Sequence, residues 1–312
     1  MNDSPKHKGD LNEEAAAIGN LGNVYVRRGD FDKAEEHYQQ ALAIDVEIEN
    51  KEGQANQLGN LGLVHAERGD LVTAEDYHRR SLVMYEEIGN RIGQANQLGN
   101  MGAIQADRGD LDKAEEYFKR ALDIDREIGD RDGQASQLGN LGIVYRNRGQ
   151  LEEAEQHIRR ALAIHTEIGD RLAEASHLGN LGNIYLQRGE LDKAEDHHRK
   201  ALAIDTEAGT RLGEGQDLAN LGNVYVSRGD LETAAKHYQR ALAIDEDIGN
   251  RLGQARNLGN LGIIAAEAGD RNRAPSLLQR AQDIYRAVGV AGEGLAIVAQ
   301  ALKRLEAPPT KE

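Results

Sequence analysis

The chain has 312 residues, a net charge of −15 at pH 7 and no cysteine. The negative charge argues against nucleic acid and against an anionic membrane surface as partners, because both bind through basic surfaces. The absence of cysteine excludes disulfides and thiolate chemistry. The chain starts with a polar segment and contains no long apolar run, so we expect a cytoplasmic protein without a membrane span.

A 40-residue unit recurs along almost the whole chain. An Asn-Leu-Gly segment (Asn-Met-Gly in the third unit) begins at residue 20 and returns every 40 residues up to residue 260. A fixed period of this size indicates a stacked repeat protein rather than an enzyme core. We expect a polar N-terminal tail at 1–10, seven 40-residue units over 11–288, a C-terminal capping helix over 289–306 and a tail at 307–312.

Each unit has the pattern of two helices joined by a short turn. In the second unit, apolar residues recur at every third position of the first half, which fits one face of a helix. These residues are Ala55, Leu58, Leu61 and Val64. Gly69 and Asp70 follow, and this pair suits the end of one helix and the N-cap of the next. The sequence therefore predicts an all-α fold of antiparallel helix pairs.

The last unit departs from this pattern. Pro275 lies near the start of its second helix, and proline is tolerated only in the first turn, so we expect this helix to begin late or to be distorted. A final apolar helix follows, with Gln300, Lys303 and Arg304 on its polar side. Such a helix is typical of a solvating cap at the end of a repeat array.

The side-chain pattern of the unit resembles the tetratricopeptide repeat. In the first unit it consists of Ile18, Leu21-Gly22, Tyr25, Gly29-Asp30-Phe31, Ala34, Tyr38 and Ala41-Leu42. The 40-residue form is similar to the Pins-type Leu-Gly-Asn repeat adaptors and to kinesin light chains. The resemblance implies a right-handed superhelical solenoid of seven antiparallel helix pairs plus a capping helix. It also implies that the first helices line a concave, peptide-binding groove.

One asparagine recurs at the same phase of every first helix, and we call this set the Asn row. Its members are Asn20, Asn60, Asn100, Asn140, Asn180, Asn220 and Asn260. Asparagine is a poor residue for a helix interior, so its recurrence needs a reason. An amide can pair with any peptide backbone, and in the family this position faces the groove and holds ligand backbone. The alternatives are a structural bond between adjacent repeats and a repeat duplication too recent to have diverged.

A small residue precedes each asparagine, and we call this set the small-residue row. Its members are Gly19, Gly59, Gly99, Gly139, Gly179, Ala219 and Gly259. Glycine within a helix costs about 0.5–1 kcal/mol relative to alanine. The row would allow a ligand backbone to approach closely, whereas shared repeat ancestry and tight packing of another chain's helix are the alternatives.

Other groove positions vary between units, and variation on a uniform background is where specificity would reside. The candidates for binding residues, three or six positions after the Asn row, are Asn23, Leu63, Ala103, Ile143, Arg146, Asn183, Leu186 and Asn223. We expect the apolar members to contact apolar groups of a peptide.

Two further rows have structural interpretations. The histidines at one phase of the second helices are about 8–10 Å apart on stacked helices, too far for one zinc site, and are interpreted as packing residues. They are His37, His157, His197 and His237. Arginines such as Arg68 and Arg148 end the first helices, where they complement the helix dipole, and a rail for an anionic ligand is the alternative.

The sequence contains none of the catalytic motifs with a phosphate loop, a His-Glu-x-x-His or a Gly-x-Ser-x-Gly segment. We therefore predict a non-enzymatic interaction scaffold that binds an extended or helical peptide in its groove, without a cofactor or a metal. Two alternatives stay open. One is a self-assembling structural protein that forms homo-oligomers, and the other is a regulatory adaptor for a separate catalytic chain.

Overall fold

The computed structural model describes residues 5–289 and 293–306. Within these ranges the chain forms helices and short turns, with no strand. The helices are α1 Pro5–Arg27, α2 Phe31–Glu47, α3 Lys51–Glu67, α4 Leu71–Ile88, α5 Arg91–Asp107, α6 Leu111–Ile128, α7 Arg131–Asn147, α8 Leu151–Ile168, α9 Arg171–Gln187, α10 Leu191–Ala208, α11 Arg211–Ser227, α12 Leu231–Asp247, α13 Arg251–Glu267, α14 Arg273–Val288 and α15 Glu293–Glu306.

The turns between helices have the predicted chemistry. Gly69 has φ +80°, in the left-handed region that favours glycine, and ends the first helix of its unit. Asp70 then caps α4, because its side chain accepts a hydrogen bond from the backbone N–H of Thr73. Equivalent caps start most of the other helices, so the short turns of two or three residues follow directly from the repeated Gly-Asp and Gly-Asn segments.

The chain divides into two compact units, residues 1–164 and residues 165–312. In the first, apolar residues of α6, α7 and α8, such as Phe118, Leu141 and Ala161, form a continuous buried cluster. In the second, α13, α14 and α15 share a core that contains Leu258, Leu278 and Val298. The predicted all-α tetratricopeptide fold, with seven helix pairs and a final capping helix, is confirmed for the described residues.

Two helix starts differ from a simple repeat of 40 residues. Helix α1 begins at Pro5, inside the tail predicted at 1–10, because proline suits the first position of a helix. Helix α14 begins at Arg273, two residues later in its unit than α12 at Leu231, as expected from Pro275. The other predicted boundaries stay predictions. The tail at 307–312, the first four residues and residues 290–292 of the predicted cap lie outside the described residues.

The arginines that end the first helices bind acidic residues of the preceding second helix. Arg148 Nη2 lies 2.5 Å from Asp112 Oδ1, and Arg148 Nη1 contacts Glu115. The same arrangement joins Arg68 to Asp32 and Glu35, and Arg228 to Asp192 and Glu195. These residues connect adjacent repeats, and this accounts for the arginine row without an anionic ligand.

Glu115 is the centre of one of these clusters. Its Oε1 accepts a hydrogen bond from Tyr145 Oη at 2.6 Å and lies 2.5 Å from Lys119 Nζ. Burial alone would raise the pKa of Glu115, but the hydrogen bonds from Lys119, Tyr145 and Arg148 prevail and lower it to about 2. The folded state therefore favours the ionised carboxylate.

We expect Glu115→Gln to lower the free energy of unfolding by about 1–2 kcal/mol at pH 7, because it removes charge-assisted hydrogen bonds. A carboxylate with a lowered pKa stabilises the fold fully above its usual value of 4.5 and loses this effect as the pH falls toward 2. Urea titrations of both proteins between pH 7 and pH 2.5 should show the difference shrinking below pH 4.5. Glu116→Gln, on an exposed side chain, is the control. A difference that stays constant over this range would contradict the assignment.

Candidate functional site

The Asn row lines cavities formed by consecutive first helices. In the compact unit of residues 1–164, a cavity of about 490 Å³ is lined by Asn20 and Asn60. A second cavity, of about 460 Å³, is lined there by Asn60, Asn100 and Asn140. In the compact unit of residues 165–312, a cavity of about 350 Å³ is lined by Asn180 and Asn220. Register alone brings these amides together, since each occupies the same position on its helix.

Six of the seven Asn-row side chains form no hydrogen bond with any other described residue. They are Asn20, Asn60, Asn100, Asn140, Asn220 and Asn260. Asn20 is exposed and the other five are half-buried. These six amides thus do not form the structural bond between adjacent repeats that was one alternative for the row. Each keeps a donor and an acceptor available to a ligand.

The variable candidates fall into two groups. Leu63 and Ala103 line the same cavity as Asn100. Asn23 lines the cavity of Asn20, and Asn183 lines that of Asn180. The others, Ile143, Arg146, Leu186 and Asn223, are half-buried and line none of these three cavities.

Two of the candidate asparagines also have partners inside their own repeat. Asn23 Oδ1 accepts a hydrogen bond from Tyr38 Oη at 2.7 Å, and Asn223 Oδ1 accepts one from Tyr238 Oη at 2.6 Å. Both asparagines therefore position a buried tyrosine in addition to any contact with a ligand.

The small-residue row makes room for buried side chains of the next repeat. A Cβ placed on Gly19 would lie 3.1 Å from the amide atoms of Gln57, and one placed on Gly59 would lie 3.1 Å from Gln97 Nε2. Gln57 and Gln97 are buried. The close approach at these glycines is thus made by the chain's own glutamines, which none of the three sequence interpretations anticipated.

These glutamines belong to a row of buried polar pairs, which we call the junction pairs. Each pair joins a second helix to the first helix of the next unit. Asn257 Nδ2 donates to Asp245 Oδ2 at 2.8 Å, and His165 Nδ1 lies 2.8 Å from His177 Nε2. The remaining members of the row on the first helices are Gln57, Gln97, Gln137 and Asp217. Polar residues at one phase within the apolar face of each first helix were the sequence signal for this row.

Burial controls the ionisation of the junction pairs. It raises the pKa of Asp125 to about 6, with the negative charge of Asp130 adding to the effect. Burial also raises the pKa of Asp217 to about 8, and the charge of the neighbouring Asp205 contributes to this shift. In the His165–His177 pair, burial lowers the pKa of His177 to about 4, so its imidazole stays neutral near pH 7.

The histidine row packs on aromatic residues. The ring centroids of His37 and Tyr25 are 4.9 Å apart, and those of His157 and Tyr145 are also 4.9 Å apart. His37 Nδ1 lies 2.7 Å from the backbone carbonyl oxygen of Lys33. These contacts agree with the interpretation of the row as half-buried packing residues.

The family model of the tetratricopeptide repeat matches residues 13–87, 53–127, 93–147, 133–207 and 216–287. The chain belongs to the tetratricopeptide repeat family. This confirms the resemblance seen in the sequence. A comparison with curated proteins finds no match. None of the described helices combines the length and apolar character needed to cross a bilayer.

Several solved structures are similar to the chain. The apo form of RapI is 17% identical, with a TM-score of 0.68 over 93% of this chain and 99% of that one. Aspartyl phosphate phosphatase F from Bacillus subtilis is 16% identical, with a TM-score of 0.72 over 89% and 72%. A Rap protein in complex with Competence and Sporulation Factor is 16% identical, with a TM-score of 0.62 over 94% and 98%. Similarity at this identity shows a shared fold.

Proposed function

We propose that the protein is a non-enzymatic interaction scaffold that binds the backbone of a partner peptide along the Asn row. The observation that carries this proposal is the set of six amides in register, with no partner among the described residues and mostly lining cavities. None of these six amides is among the fully buried polar groups without a partner, so their donors and acceptors stay accessible to a ligand. A ligand backbone would supply the missing donors and acceptors whatever its sequence.

The cavity of Asn60, Asn100 and Asn140 contains three consecutive members of the row. Leu63 and Ala103 lie beside the amides, and 46% of the Leu63 side chain is exposed. Stacked helices lie about 8–10 Å apart, and an extended peptide advances about 3.3 Å per residue. Successive asparagines would therefore pair with about every third residue of an extended ligand, while Leu63 contacts an apolar side chain between them.

A solved relative lends support to the proposal. One protein of the same fold is a Rap protein in complex with Competence and Sporulation Factor, and proteins built from tetratricopeptide repeats typically serve as interaction scaffolds. The variable groove positions Ile143, Arg146, Leu186 and Asn183 would then contribute to the choice of partner.

The test is a peptide selected from a displayed random 12-residue library against the full chain. The triple variant Asn60→Ala, Asn100→Ala and Asn140→Ala should bind this peptide at least about tenfold more weakly, because each lost hydrogen bond contributes about 0.5–1.5 kcal/mol. Calorimetry measures the affinity, and circular dichroism should show unchanged helicity, since alanine favours helix.

The matched control removes two exposed amides from α2 with Gln39→Ala and Gln40→Ala, which should leave the affinity unchanged. An affinity of the triple variant within twofold of the wild type would refute backbone binding by the Asn row. Light scattering of the free protein over a range of concentrations tests the alternative of self-assembly.

A further inference from the structure

One junction pair differs in chemistry from all the others. Its first-helix member is an acid, Asp217, whereas the equivalent residues in the other junctions are amides or an imidazole: Gln57, Gln97, Gln137, His177 and Asn257. Asp217 faces Asp205, another acid. At other junctions that contain an acid, an amide donates to the carboxylate, as Asn257 does to Asp245 and Gln57 to Asp45. At this junction two carboxyl groups meet and neither brings a fixed donor.

The two carboxyl groups are buried but border an open cavity. Asp205 is 8% exposed and Asp217 is 5% exposed. Both line the cavity of about 350 Å³ at Asn180 and Asn220. Asp217 Oδ2 is buried, and no N–H or O–H donor of the described residues reaches it. The side chains of Asp205 and Asp217 are hydrogen-bonded to each other, which requires a shared proton.

The cavity contains no cation of the protein to balance these acids. None of its lining residues within the described ranges is a lysine or an arginine. Glu214, whose charge acts on Asp205, is paired with Arg211 at 2.5 Å. A cation that entered the cavity would therefore meet two carboxyl groups without a competing positive charge.

Two leucines of the lining add an independent, apolar feature. Leu172 and Leu212 are 50% and 48% exposed, and both line this cavity. In the cavity lined by Asn20 and Asn60, the equivalent positions are occupied by the polar Asn12 and Glu52. Only here among the described cavities do two exposed leucines accompany two acids. The site thus combines two exposed leucines and two acids in a lining whose other side chains are mainly polar.

We infer that this cavity binds the side chain of a lysine or arginine of the partner peptide. The aliphatic stem lies against Leu172 and Leu212, and the cationic head replaces the proton shared by Asp205 and Asp217, which leaves to solvent. Long basic side chains commonly bury their stems in this way and keep the charged end in a polar environment. The two exposed leucines favour the aliphatic stem of a basic side chain over a divalent cation, because calcium binds through oxygen ligands alone.

The inference rests on the proposed function, but its test does not require the Asn row. The probe is Nα-acetyl-lysine N-methylamide, compared with the uncharged norleucine analogue, added to the ¹⁵N-labelled full chain. Binding is followed by NMR shifts of the Gly179 and Gly213 backbone amides, which border the acids. We expect saturable shifts for the lysine compound and at least about tenfold weaker binding of the norleucine compound.

Asp217→Asn is the decisive variant. It restores the acid–amide pairing that Asp245 and Asn257 already show, so it should fold normally. It should weaken binding of the lysine compound at least about tenfold, whereas Asn257→Gln should leave it unchanged. Equal binding of both compounds, no effect of Asp217→Asn, or saturation by calcium chloride at a lower concentration than the lysine compound would each overturn the inference. If the selected peptide still depends on the Asn row, the proposed function survives that failure.

Discussion

Replacing Asp217 by asparagine is expected to raise the free energy of unfolding by about 1–3 kcal/mol at pH 9, because it removes a carboxylate that must ionise while buried. Burial and the neighbouring Asp205 raise the pKa of Asp217 from its usual 3.8 to about 8. The proton-bound form is therefore favoured in the fold. Asn257 shows that an asparagine at this position can donate to the facing carboxylate.

The sign of the pH dependence follows from this shift. A group whose pKa is raised in the folded state contributes stability that is fully present below pH 3.8 and is lost as the pH rises through about 8. Urea unfolding midpoints measured from pH 4 to pH 9 should fall for the wild type and fall less for Asp217→Asn. The two proteins should converge near pH 4.

The control for this experiment is Glu207→Gln, which changes the net charge equally on an 82% exposed side chain. It should change the free energy of unfolding by less than about 0.5 kcal/mol at any pH, as surface substitutions usually do. If Asp217→Asn and Glu207→Gln behaved alike, the buried acid pair would not be the cause of the pH dependence.

Replacing Gly142 by alanine is expected to destabilise the protein by about 1–2 kcal/mol. A Cβ at this position would lie 2.6 Å from Ile158 Cγ1, closer still to Ile158 Cδ1, and 3.2 Å from the backbone oxygen of Ala154. Ile158 is fully buried and cannot move into solvent. The overpacking outweighs the roughly 1 kcal/mol that alanine gains in helix propensity.

Ile158→Val provides the matched test, because it removes the Cδ1 atom that the new methyl would strike. In a double-mutant cycle with Gly142→Ala, we expect a favourable coupling of about 0.5–1.5 kcal/mol between the two changes. Gly9→Ala, on a helical glycine with open space around it, should instead stabilise slightly. Destabilisation by Gly9→Ala of the same size as by Gly142→Ala would show that packing at Ile158 is not responsible.

Local signals were sufficient to predict the helices and their ends. Gly69 must adopt a left-handed conformation, and Asp70 can cap the helix that follows, so both positions could be assigned from residue type. Pro275 likewise predicted the late start of α14 at Arg273. The start of α1 at Pro5 was missed, because the polar residues around it carry no apolar periodicity.

Side-chain partners across the repeat junction could not be predicted in this way. The register predicted that Asn60, Asn100 and Asn140 lie on one surface. It did not predict that no residue within the described ranges pairs with them. The roles of Asn23 and Asn223 as acceptors for buried tyrosines depend on a helix 15 residues away in sequence.

The sequence by itself determined the 40-residue unit, its two helices and the phase of every recurring residue, because turn chemistry and helical periodicity are local properties. Only the tertiary structure decided which residues of one repeat meet those of the next. It showed that Gly19 makes room for Gln57 and that Asp217 meets Asp205 at the wall of a cavity that two leucines also line. The physical reason is that burial and pairing depend on the distance between two helices, which no pattern within a single helix encodes.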